Sequence, residues 1–235
     1  MKHEIPTEFT IGFLNRTIEI HWGLHAWLMF ICWFVLVPFG VMSIRYLKTR
    51  PVPLGLPRGV GKFDPLFIWW VMHIWTLYTA IGLSLLGAAI ALVVSGGFSG
   101  SVHSFFGIAT VLFGTLQIVA AWNRGSHGGH NHLSSDPDDP STWRGDHFDM
   151  TPKRRLFEAY HKPGGYFSVF LAIGAVASGL VQFWMPAIAI TLGLIFIGGF
   201  VLIVFSEFRG YRYDTYRAVF GSHPDHPGNK KREGL

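Results

Sequence analysis

The sequence predicts an all-α integral membrane protein with five transmembrane helices, four forming a core and one at its periphery. Three observations predict it. Half of the 235 residues are hydrophobic and only 14% are charged, a balance typical of polytopic membrane proteins rather than soluble globules. Apolar runs long enough to cross a bilayer, about 20 residues each, fall at 23–44, 66–94, 101–122, 164–183 and 186–206. No Lys, Arg, Asp or Glu occurs between Asp64 and Arg124, so the second and third runs carry no formal charge. The single cysteine, Cys32, lies inside the first run, which rules out a disulfide framework and a C-x-x-C-H haem attachment motif.

Residues 1–22 contain Glu4, Glu8, Arg16 and Glu19 without the apolar core of a cleavable leader, and mix apolar with polar side chains. They read as an amphipathic segment on the outer face. The first span, HAWLMFICWFVLVPFGVMSIRYL, contains Pro38, where a kink is expected. The loop after it, KTRPVPLGLPRGVGKFDP, is rich in Pro and Gly and reads as irregular. The second and third spans are joined by Ser95-Gly96-Gly97-Phe98-Ser99-Gly100. A polar, His-rich loop follows at 123–151, and Thr151-Pro152 is placed to cap a short basic helix leading into the fourth span. Residues 23–208 thus form the membrane domain and 209–235 a tail whose last dozen residues read as disordered. Trp69, Trp70, Trp75 and Trp122 read as interfacial belt residues.

The net charge of +5 looks like a nucleic-acid cue until it is placed along the chain. Lys2 and Arg16 share one side of the membrane, and the remaining basic residues share the other. The positive-inside rule then puts the N-terminus outside and the C-terminus in the cytoplasm, with a bacterial inner membrane as the expected setting. Basic runs such as Lys153-Arg154-Arg155 then serve topology and attraction to anionic lipid, with no nucleic-acid partner.

Each of the first four spans carries a histidine near its N-terminal end: His25, His73, His103 and His161. The fifth carries none. Because successive helices run in opposite directions, His25 and His103 fall near the outer face, and His73 and His161 near the cytoplasmic face. Ionisable side chains at membrane depth are costly and generally functional. Two imidazoles at each of two depths is the arrangement needed to clamp two haem irons, so the core is predicted to hold two haem b. From His25 to Arg45 the helix rises roughly 30 Å, which leaves the two pairs separated by roughly 20 Å. Gly107, Gly114, Gly164 and Ser168 follow the histidines on the same helix faces and would let a flat macrocycle approach, or simply let helices pack. Arg45 and Lys162 are candidates to pair with haem propionates or an anionic substrate, or to act as interfacial anchors. His21, one turn before His25, is a competing ligand outside this pattern.

At these residues the sequence resembles the eukaryotic-type cytochrome b561 family. HAWLMFICWFVLVPFGVMSIRYLK is similar to its opening core helix, with the HG-x-LM…P-x-G…RY pattern, although Ala26 stands in place of the glycine. WWVMHIW, SVHSFFGIATVLFGTLQIVAAWNR and YHKPGGYFSVFL resemble the next three core helices. The resemblance covers about residues 23–208, and the family's four core histidines fall on His25, His73, His103 and His161, paired first with third and second with fourth. It implies a diheme b-type protein moving electrons across a membrane, with ascorbate-like donors and ferric or radical acceptors in eukaryotic members. The five-span form is similar to the membrane half of DOMON-associated proteins, here without a DOMON domain. The expected partners are membrane lipid and a separate redox donor or acceptor: a periplasmic carrier, a quinone or a larger complex, with homo-oligomers also allowed. As an enzyme it would be a transmembrane oxidoreductase. Two rivals stay open: an accessory haem subunit that stabilises a larger complex, and a His-lined metal transporter. His127, His130, His132 and His147, with the Asp136–Asp139 cluster, fit either a metal site or a solvated flexible loop, and the Gly-, Ser- and Pro-rich composition favours the loop.

Overall fold

The structure is a computed structural model describing residues 6–130 and 132–233. Among the described residues five helices are long and apolar enough to cross a membrane: Trp22–Tyr46, Ile68–Val94, Val102–Trp122, Pro152–Gln182 and Pro186–Phe208. The first span passes through a π-helical turn at Cys32–Leu36. Pro38 lacks an N–H, and its ring crowds the carbonyl four residues earlier, so widening the turn just before it relieves the clash. The expected kink is therefore a π turn. The third span begins at Ser101, whose side chain accepts the Ser104 N–H at 3.1 Å. The fourth is longer than its apolar run predicted. The basic segment after Thr151 and the span form one helix that continues through Pro163.

Phe30, Cys32, Trp33, Phe34 and Val37 of the first span form the main core with Ala80 and Ile81, Ala172 and Ile188. The fifth helix leans on this core through Ile188 and through Phe196, which meets Phe34 edge-on at 6.2 Å. Little of it is buried against the rest of the protein, which makes it peripheral. The N-terminal segment differs from the expected surface-lying stretch. Glu8–Ile11 and Arg16–Glu19 form an antiparallel hairpin with Phe9 opposite Ile18, its turn closed by Asn15 at φ 45°. The period-2 alternation of Thr, Ile and Phe favours strands. The first five residues of the 1–22 segment lie outside the described residues.

The largest departure lies at the loop end of the bundle. The described residues of the 123–151 loop and of the tail up to residue 233 are folded together, where a solvated loop and a disordered terminus were expected. The last two positions of that expected disorder lie outside the described residues. Trp143, Phe148, Tyr216, Val219 and Phe220 form a second buried cluster with Leu56 and Trp69, so Trp69 is core rather than belt. The Leu56 N–H donates to the Val219 carbonyl at 3.0 Å and the Ser222 N–H to the Val52 carbonyl at 3.1 Å, tying the first loop to the tail. Asn229 is buried and donates to the carbonyls of Gly221 and His223. This cap forms because aromatic residues far apart in sequence bury one another, a pairing that no local pattern announces.

Phe220 is fully buried, and Phe220→Ala is expected to cost the cap about 3–5 kcal/mol. Limited proteolysis should then cleave the 123–151 segment much faster than in the parent. The cap should also loosen in acid. Burial, reinforced by Arg124, Arg154 and His130, pulls His127 down to about 4 from 6.5. Between those values the unfolded chain binds more protons, so stability is retained above about pH 6.5 and falls as pH drops towards 4. Tryptophan fluorescence followed from pH 7 to 4 checks this; a flat profile would contradict it.

Candidate functional site

The four span histidines meet in two pairs. The rings of His25 and His103 lie 6.4 Å apart between centres, and those of His73 and His161 also 6.4 Å apart. These are the two pairings that the alternation of helix direction predicts. A metal–imidazole bond is about 2.0–2.1 Å and a ring nitrogen lies about 1.1 Å from its ring centre, so imidazoles on opposite sides of one metal ion have centres about 6.3 Å apart. The observed spacing fits a bis-imidazole iron at each pair.

The rings are also held in a way that suits ligation. His73 Nδ1 lies 2.9 Å from the Gly40 carbonyl, and His103 Nδ1 lies 2.9 Å from the Ala175 carbonyl. His25 interacts with the Gly87 backbone. An Nδ1–H donated to a carbonyl fixes the tautomer and leaves Nε2 as the ligand atom. Each of these contacts joins neighbouring antiparallel helices: the first and second spans hold His25 and His73, and the third and fourth hold His103. His161 is different. Among the described residues its buried Nδ1 has no hydrogen-bond partner, and its ring stacks on Phe157 at 4.8 Å.

Small residues shape the surroundings unequally. A Cβ on Gly179 would come within 3.0 Å of His103 Nδ1, so glycine is what lets that ring reach the fourth span. A Cβ on Gly107 would meet nothing within 4 Å, leaving open space one turn from His103. Gly114 and Gly164 behave otherwise: the first is filled by Ile81 and Trp33 and the second by Gln117, so both serve helix packing rather than a flat ligand. Ser168 is buried and donates to the Gly164 carbonyl at 2.8 Å.

Arg45 is engaged within the protein. It pairs with Glu207 at 2.6 Å, a carboxylate that also accepts from the Tyr46 hydroxyl at 2.8 Å, and so ties the first span to the fifth. Lys162 is exposed beside His161. Nearby, burial pulls Lys48 down to about 8, with Lys162, Arg212 and Arg45 adding repulsion against the attraction of Asp214. His21 is exposed at the start of the first helix. In the loop, His132 is half-buried and contacts the Ser134 hydroxyl, while His127 and His147 meet edge-on with ring centres 5.3 Å apart. Among the described residues no three His, Cys, Asp or Glu side chains converge as a metal site.

Sequence reading missed Gln117 and Tyr160, whose side-chain polar atoms are buried beside Gly164 with no hydrogen-bond partner among the described residues. A lone glutamine in a span without charged side chains was the available signal. The carbonyls that hold the rings carried no signal at all, since any residue supplies one.

The fold and its site define a class: a helical membrane protein presenting two histidine pairs, each spaced for one metal ion. Two curated proteins of Arabidopsis thaliana are similar to the chain. A cytochrome b561, DM13 and DOMON domain-containing protein is 26% identical over 159 residues, covering 67% of this chain and 14% of that protein. A cytochrome b561 and DOMON domain-containing protein is 26% identical over 170 residues, covering 71% of this chain and 29% of that protein. The chain thus spans less than a third of either relative's length. No family model matches, and no solved structure does. Both relatives carry cytochrome b561 in their names.

The site depends on close packing of the third and fourth spans. A Cβ on Gly174 would meet the Phe106 ring at 2.7 Å, so Gly174→Leu is expected to destabilise the protein by about 1–3 kcal/mol. Thermal unfolding in detergent would read this as a lowered midpoint.

Proposed function

We propose that this chain is a two-haem b-type cytochrome that carries electrons across a membrane. His25 and His103 would hold one haem nearer the outer face, and His73 and His161 the other nearer the cytoplasm, with the N-terminus outside. The observation that carries the reading is the equal 6.4 Å spacing of both pairs. The b561 names of its relatives support a b-type electron carrier. Bound haem would supply reversible one-electron iron chemistry whose potential is set by its ligands and burial. The protein's own part is to fix the imidazoles, through the Gly40 and Ala175 carbonyls, and to keep both pairs among apolar side chains. Lys162, exposed beside the inner pair, would attract an anionic partner or a propionate, and Arg45 would do so only in competition with Glu207. Donor and acceptor are then separate molecules meeting the two ends of the bundle.

A pyridine haemochrome assay on the purified chain should give two haems per polypeptide; none or one would sink the reading. His103→Leu and His161→Leu should each remove one, and the double variant both. Gly179→Val should selectively weaken the haem at the His25–His103 pair, because its side chain displaces His103.

A further inference from the structure

The cap contains a cavity of about 270 Å³ that the haem reading does not use. Leu56, Val60, Phe67 and Val219 form apolar walls, and Pro57, Gly59, His127 and His130 complete the lining. His130 is 4% exposed; among the described residues neither of its ring nitrogens makes a well-formed hydrogen bond, although the ring interacts with the Pro57 backbone. A buried imidazole left in this state loses the hydrogen bonds that water would give it. The charged groups acting on the two histidines are cations: Arg124 and Arg154 on His127, and Arg58 on His130. Burial and these cations keep both imidazoles neutral near pH 7, so each offers one N–H. The cavity therefore combines apolar walls with two imidazole N–H donors near Arg124 and Arg58, which suits an uncharged ring bearing electron-rich oxygens. Its Phe67 wall is continuous with the second span. Phe67 lies 6.4 Å from Trp70, and Trp70 lies 6.1 Å from His73 and carries Arg124 over its face.

We infer that this cavity binds a quinone-type head group, its ring held between Phe67 and the aliphatic walls and its oxygens met by His127 and His130. The choice of a redox-active ring rests on the electron-carrier reading. The ring's shape and its two oxygens rest on the cavity alone.

The test uses the full-length protein in lipid nanodiscs, with 2,3-dimethoxy-5-methyl-1,4-benzoquinone as a water-soluble probe and calorimetry as readout. Saturable binding is expected. Val60→Trp, which fills the cavity from a half-buried wall, and His130→Leu should each weaken it at least tenfold. His130→Gln, which restores an N–H donor, should recover most of the affinity. Absence of binding to the parent, or equal binding by Val60→Trp, overturns the inference, as does benzoate binding as tightly, which would mark a general anion site. Haem content is measured on the same samples. Binding in a chain that holds no haem would support the cavity and overturn only the electron-carrier reading; two haems without binding would do the reverse.

Discussion

The arrangement depends on imidazoles hydrogen-bonded to backbone carbonyls of a neighbouring antiparallel helix. His73 reaches Gly40 on the first span, and His103 reaches Ala175 on the fourth. Side-chain hydrogen bonds between membrane helices average only about 0.6 kcal/mol, so these contacts add little to stability. What they supply is register. A ring tied to one carbonyl cannot turn about its own Cβ, and the helix carrying it cannot slide by a turn without leaving a polar group bare in a setting that lacks water. The Ala175 carbonyl also receives the Ser178 hydroxyl at 3.1 Å, which is allowed because a carbonyl has two lone pairs.

That constraint makes the bundle a pair of helical hairpins rather than four equivalent helices. The first and second spans hold one histidine of each pair, and the third and fourth hold the other. Each pair therefore bridges the two hairpins. The tight approach of Phe106 to Gly174 and of His103 to Gly179 is what small residues permit where no hydrophobic driving force draws helices together. The fifth helix shares little of this packing and is fastened at its end by Glu207 on Arg45 and Tyr46. The cap rests on a different force. It lies where water is present, and its cluster of Trp143, Phe148, Tyr216 and Phe220 gains from removing aromatic surface from that water.

The five spans were legible because each is a continuous apolar run, and a run of that length has few other uses. The histidine pairing was legible because helices that alternate direction place residues at similar positions on opposite sides. The N-terminal hairpin was less so, since eight residues of alternating pattern compete with an amphipathic reading. The cap was not legible. Leu56, Trp143 and Phe220 sit in segments whose composition of Gly, Pro, Ser and charge predicts loops, and only their meeting makes a core. Arg45 looked available for an anion until Glu207, 162 residues later, was found against it.

By itself the sequence determined the number of spans, the charge-free centre and which four imidazoles lie inside it, because hydropathy and polarity act residue by residue. Only the tertiary structure decided how far apart the rings stand, which carbonyls hold them, that His161 has no such partner among the described residues, and that the loops close into a cap. Those properties depend on the rotation and approach of one helix against another. These are fixed jointly by side chains distant along the chain, so no local stretch encodes them.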